Sequence, residues 1–86
     1  MKTIKDARYS MNHTQDRVWE RYNIFIGDPD YIEMCRRVRD KIDVKFISEE
    51  KRKKNIQQIY DIPFKNTTIR VVWSTERQCI TTALPM

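Results

Sequence analysis

Eighty-six residues, 40% of them hydrophobic and including two Trp, four Tyr and three Phe, suffice for one folded domain over 1–86 and exclude a disordered chain. No apolar run approaches a bilayer span, and the start Met1-Lys2-Thr3-Ile4-Lys5-Asp6 lacks the apolar stretch of a secretion signal, so a cytoplasmic protein without a membrane partner is expected. The net charge of +5 is concentrated: residues 36–54 carry nine basic and four acidic side chains, against five and six in 1–35 and three and two in 55–86. A basic segment of this kind favours a polyanion, nucleic acid ahead of an acidic protein.

Residues 3–9 suit a short first strand. Asn12 then suits a helix N-cap, with Gln15 as its capping-box partner, and the helix runs to about Tyr22. Met11, Gln15, Val18, Trp19 and Tyr22 fall on one arc of this helix, opposite His13, Arg17, Glu20 and Arg21. Gly27-Asp28-Pro29-Asp30 starts a second helix that continues to about Ile42: Asp28 caps, Pro29 takes the first helical position, Asp30 sits in the first turn, and Tyr31, Met34, Cys35, Val38 and Ile42 form the buried face.

The pattern then changes to strands. Asp43–Ile47 is short and apolar, Ser48–Lys54 reads as a charged loop, and alternation marks Ile56–Phe64, Ile69–Trp73 and Ile80–Leu84. The expected fold is α+β: a short N-terminal strand, two helices, then a four-stranded antiparallel meander with the helices on one face. A two-residue turn at Lys65-Asn66 pairs Phe64 with Thr67, Ile62 with Ile69 and Asp61 with Arg70. A second at Thr75-Glu76 pairs Ser74 with Arg77, Arg70 with Thr81 and Ile69 with Thr82. Tyr60, Ile62, Ile69, Val71, Trp73 and Ile80 then share the core face, and Asp61, Arg70 and Thr81 form a polar row on the other.

No zinc, calcium, Walker-type or nucleophile-elbow motif occurs, so neither metal nor cofactor is expected. Cys35 and Cys79 lack metal-ligand spacing and read as two reduced, buried thiols, with a disulfide between them left open. The remaining chemistry is that of His, Arg, Thr and Lys. His13, Arg17 and Arg21 stack at four-residue intervals, joining a group that titrates near neutrality to two phosphate-binding forks. RNA suits such a set, because its 2′-hydroxyl is an internal nucleophile needing a base, a charge-stabilising cation and an acid.

Ser10-Met11-Asn12-His13-Thr14-Gln15-Asp16-Arg17, followed by Glu20-Arg21-Tyr22-Asn23-Ile24, resembles the opening helix of small bacterial and phage toxins. These belong to the Barnase–EndoU–colicin–RelE superfamily of metal-independent ribonucleases. Ile69-Arg70-Val71-Val72-Trp73 and Ile80-Thr81-Thr82-Ala83-Leu84-Pro85 are similar to that group's last two strands, and the order of elements agrees over nearly the whole chain. The resemblance implies a RelE/colicin-like ribonuclease architecture and cleavage of mRNA or tRNA. It also implies His13 as general acid or base, Arg17 on the scissile phosphate with Arg21 second, and Arg70 stabilising transition-state charge. Thr82 matches the group's threonine by its distance from Pro85, whereas the hairpin register sets Thr81 beside Arg70, so both stand as site residues. Arg36, Arg37, Lys51, Arg52, Lys53 and Lys54 would track the RNA backbone, and an acidic antitoxin or immunity protein is the implied protein partner. The chain departs from the group in having no second histidine, and no tyrosine after Tyr60, to serve as partner acid. A non-enzymatic basic module binding RNA, DNA or an acidic host protein, as in a phage protein that modulates its host, is the alternative.

Overall fold

A computed structural model describes residues 4–53 and 55–85, with side chains from Arg8 onward. Helices α1 (Ile4–Tyr22) and α2 (Asp28–Asp40) precede strands β1 (Lys45–Arg52), β2 (Asn55–Phe64), β3 (Thr67–Ser74) and β4 (Cys79–Leu84). The strands form one antiparallel sheet in the order β1-β2-β3-β4. The α+β class and the meander are as expected.

The expected first strand is helical instead: α1 begins at Ile4, and Thr3 lies outside the described residues. No glycine or proline precedes Gly27, so nothing interrupts the helix, and Asn12 sits in its middle rather than at its cap. The helix ends where Asn23 turns left-handed (φ 57°). At α2 the N-cap is Gly27, not Asp28. The Gly27 N–H donates to Asp30 Oδ2 at 2.9 Å, while Asp28 Oδ1 accepts from Gln15 Nε2 of α1 at 2.9 Å. Helix α2 stops at Asp40 with Lys41 left-handed (φ 60°), which carries Ile42 past the helix and leaves it exposed.

The supposed loop 48–54 is largely strand. Lys51 pairs with Ile56 and Arg52 with Asn55, so β1 and β2 extend as a ribbon, with a bulge between Phe46 and Ser48. Backbone pairing overrides the poor strand propensity of this charged run. The turn at Lys65-Asn66 gives the expected partners, Phe64 with Thr67, Ile62 with Ile69 and Asp61 with Arg70. The second turn does not. Ser74 pairs with Cys79 across Thr75–Gln78, because Gln78 adopts φ 58° and returns its N–H to Ser74 O at 2.8 Å. A bulge then lets Trp73 face Ile80 and Val72 face Thr82, so Thr81 is not opposite Arg70.

Both helices pack on one sheet face. Val18, Ile26, Tyr31, Met34 and Val38 meet Tyr60, Ile62, Ile69, Val71, Trp73, Ile80 and Ala83 in the core. The buried line of α1 is Ser10-Thr14-Val18, rotated from the apolar arc, so Trp19, expected inside, is 56% exposed.

Candidate functional site

With the helices on one face, strand alternation leaves Asp61 of β2, Arg70 and Val72 of β3, and Thr82 and Leu84 of β4 on the uncovered face. Arg70 holds Asp61 in a two-pronged pair, Nε to Oδ1 at 2.8 Å and Nη2 to Oδ2 at 3.1 Å. The hydrogen bond to Asp61 is the main reason the Arg70 pKa is raised. Two donor nitrogens are thus engaged, and the Nη1 edge of the fork is left for a ligand. Thr82 lies opposite Val72 and Leu84 opposite Arg70, so Thr82 is the diagonal neighbour of Arg70, roughly 7–8 Å away. Thr81 occupies the bulge, its Oγ1 donating to Val72 O at 3.4 Å.

Helix α1 runs alongside β4 in the same direction. Arg77 Nη1, just before β4, donates to Ser10 Oγ at 3.4 Å. Thr14 Oγ1 donates to Ile80 O at 3.4 Å, and Arg21 Nη1 to Ala83 O at 2.7 Å. The spacings agree: three strand residues cover about 10 Å, and seven helical residues about 10.5 Å. On this course Thr82 is level with Val18 and Trp19. Tyr22 donates its hydroxyl hydrogen to Leu84 O and accepts from the Arg70 N–H at 2.9 Å, closing the end of the β3–β4 ladder.

The flanks of α1 differ. Gln15 faces α2 through Asp28, while His13 and Arg17, about 200° round the helix from Gln15, face away from α2. Both are half-buried. Arg17 Nη1 pairs with Glu20 Oε1 at 2.9 Å, and His13 stacks on Tyr9 with ring centroids 5.9 Å apart. The structure therefore brings Arg21 and Tyr22 to the end of the β3–β4 ladder that carries Arg70 and Thr82, while the contact of Arg17 is with Glu20 of its own helix. His13 lies a turn further back and makes no hydrogen bond with Arg70, Thr81 or Thr82.

The basic segment divides. Arg36 pairs with Glu33 at 2.6 Å and with Asp40 at 3.9 Å. Arg52 pairs with Glu50 at 3.3 Å. Arg37, its side chain only 14% exposed, turns its fork onto Ile42 O, Pro63 O and Asp43. Lys51 and Lys53 are exposed at the tip of the β1–β2 ribbon, and Lys54 lies outside the described residues.

Cys35 and Cys79 are free, half-buried thiols rather than fully buried ones. Burial pushes the Cys35 thiol up, and its Sγ accepts from the Ile80 N–H at 3.4 Å. Burial also drives the Tyr31 hydroxyl, which donates to Ile80 O at 2.7 Å, far above the ordinary phenol range. Among the described residues no cluster of three or more His, Cys, Asp or Glu could hold a metal ion, and no helix is long and apolar enough to cross a membrane.

Sequence reasoning assigned Tyr22 to the core and missed its bond with Arg70, because no local pattern shows where a phenol tip lands. Comparison with protein-family models, curated proteins and solved structures finds no match to this chain.

Proposed function

We propose that this chain is a metal-independent endoribonuclease of toxin type, with the RelE/colicin-like architecture, that cleaves mRNA or tRNA by attack of a 2′-hydroxyl on the adjacent phosphate. The observation that carries the reading is the bond from the Arg70 N–H to the Tyr22 hydroxyl, which joins the helix bearing His13, Arg17 and Arg21 to the strand bearing Arg70, with Thr82 on the neighbouring strand. RNA lies across the open sheet face at this seam. Arg17 and the free edge of Arg70 hold the phosphate and its growing charge, and Asp61 fixes the orientation of Arg70. The Thr82 hydroxyl donates to a non-bridging oxygen. His13, the one histidine, takes the 2′-hydroxyl proton as O2′ bonds to phosphorus; the P–O5′ bond breaks and the leaving 5′-oxygen takes a proton from solvent water, giving a 2′,3′-cyclic phosphate and a 5′-hydroxyl.

The test is cleavage of total RNA in EDTA across pH 5–9, with His13→Ala and Arg70→Ala as folded controls. Loss of cleavage in both variants supports the reading. Intact RNA with the wild-type protein at every pH refutes it. One observation favours a second reading, a module that binds RNA without cutting: His13 rests against Tyr9 and is not bonded to the Arg70–Thr82 group. That module would retain its RNA affinity in His13→Ala. In either case an acidic antitoxin-like protein is the fitting protein partner for the basic surface.

A further inference from the structure

Cys35 of α2 and Cys79 at the start of β4 are distant in sequence and meet at the backbone of Ile80. Cys35 Sγ accepts from the Ile80 N–H at 3.4 Å. That nitrogen is one carbonyl carbon removed from the Cys79 Cα, so the Cys35 sulfur lies within roughly 6 Å of that Cα. The Tyr31 hydroxyl, which donates to Ile80 O at 2.7 Å, joins the two cysteines: its pKa is raised first by burial and then by charge and hydrogen bonding from Cys35 and Cys79 alike. Tyr31 and Cys35 are four residues apart, so α2 presents phenol and thiol together to the strand. We infer that Cys35 and Cys79 form a dithiol site, which a small-molecule disulfide such as oxidised glutathione closes to an intramolecular disulfide tying α2 to β4. The inference is independent of the RNA reading.

A disulfide joins Cα atoms roughly 4.4–6.8 Å apart. With the Cys35 sulfur already at the backbone beside Cys79, side-chain rotation is the main movement that closure requires. Both thiols are free and half-buried, and Cys79 directly follows the exposed residues Glu76, Arg77 and Gln78. Burial holds Cys35 as the thiol, so Cys79 is the point of entry and Cys35 the resolving partner. Cys79 loses its proton to water, and its thiolate attacks one sulfur of the reagent. The reagent's S–S bond breaks, and one thiol leaves with a proton from water. Cys35 then loses its proton, with the Ile80 N–H stabilising its thiolate, and attacks the Cys79 sulfur. The mixed disulfide breaks, and the second reagent thiol leaves in the same way. Two protein thiols are oxidised to one disulfide, and one reagent disulfide is reduced to two thiols. The ring so closed spans about half of the chain, a cross-link that strongly restricts the unfolded state.

The experiment incubates the full, folded chain with oxidised glutathione at pH 8 and follows intact mass, peptide maps and thermal unfolding. The expected product is a monomer lighter by two hydrogens, with Cys35 and Cys79 in one linked peptide pair. Its Tm should lie at least about 8 °C above that of the reduced chain, and dithiothreitol should reverse the shift. Cys35→Ser, checked for folding by circular dichroism, should stop at the mixed disulfide and keep glutathione on Cys79; the wild-type mass and map decide the question without it. Glutathione retained on the wild-type chain, disulfide-linked dimers, or closure only in urea would overturn the inference. So would an oxidised chain that melts no higher than the reduced one.

Discussion

Replacing Arg37 with lysine keeps the charge and removes the fork. The guanidinium holds four groups together: Nε donates to Ile42 O at 3.3 Å, Nη1 to Pro63 O at 2.9 Å, and Nη2 to Asp43 O at 2.6 Å and Asp43 Oδ2 at 3.1 Å. These bonds tie the end of α2, the turn into β1 and the end of β2. One ammonium cannot span them, so at least the bond to Pro63 or the pair at Asp43 is broken. Hydrogen bonds to charged groups contribute about 1.5–3 kcal/mol each. Because a freed carbonyl at this site can be rehydrated, the expected net loss is about 2 kcal/mol. For a domain of this size that lowers Tm by roughly 8–16 °C. The assay is thermal and urea unfolding followed by circular dichroism, with Arg36→Lys as control, since the pairs of Arg36 with Glu33 and Asp40 are exposed and lie within its own helix. RNA affinity extrapolated to full folding should be unchanged in Arg37→Lys. A variant as stable as wild type but weaker on RNA would refute the assignment and return Arg37 to the binding surface.

Four shorter predictions accompany it. Thr82→Val should abolish RNA cleavage while Thr81→Val leaves it within a few-fold, since only Thr82 shares a face with Arg70; equal losses would contradict the register. Tyr31→Phe should lose about 1–2 kcal/mol in urea titrations by removing the bond to Ile80 O. The folded Tyr31 pKa lies above that of the unfolded chain, so its contribution is fully present below pH 10 and declines as pH rises beyond it; Tyr31→Phe should flatten that decline. The raised thiol pKa predicts that Cys35 alkylates at pH 8 more slowly than a free cysteine until urea unfolds the chain, as peptide mass mapping would show. Finally, Lys51→Glu with Lys53→Glu should weaken RNA binding at low salt and reduce the salt slope by about 0.7 for each phosphate no longer neutralised; an unchanged slope would exclude the ribbon tip from the interface.

Sequence legibility followed local rules where these were sufficient. Gly27 to Asp30 signalled the start of α2, and Lys65-Asn66 set the β2–β3 register through to the Asp61–Arg70 pair. The errors share a cause, competition from partners distant in sequence. Nothing in Thr75–Gln78 announces that a glutamine will turn left-handed, and that residue shifts β4 and decides between Thr81 and Thr82. The charged run after Ile47 looks like a loop until Asn55–Gln58 pair with it. Ser10 and Thr14 are small polar residues whose burial depends on distant partners, Arg77 in the turn before β4 and Ile80 within it. Composition counts charges but not their neighbours, so it does not show that Arg36, Arg37 and Arg52 each pair with a carboxylate of the protein itself.

The two edges of the sheet explain why the binding surface has the polarity it does. An unpaired strand edge invites foreign strands and has to be protected. At β4 the protection comes from helix side chains: Thr14 and Tyr31 donate to Ile80 O, Cys35 accepts from Ile80 N–H, and Arg21 donates to Ala83 O. That is why α1 buries a serine and a threonine where an ordinary amphipathic helix buries leucines. It also holds β4, and Thr82 with it, on a rigid support, as a site demanding fixed geometry requires. At β1 no helix intervenes, and the bulge near Ile47 and the run Glu49-Glu50-Lys51-Arg52 protect the edge by charge and twist. On the ribonuclease reading proposed above, the covered edge would hold the reacting phosphate, and the charged edge would gather the polyanion without ordering it. Exchanging these edges would fail at the buried positions: a lysine at Ile80 or Ala83 would have no room under α1.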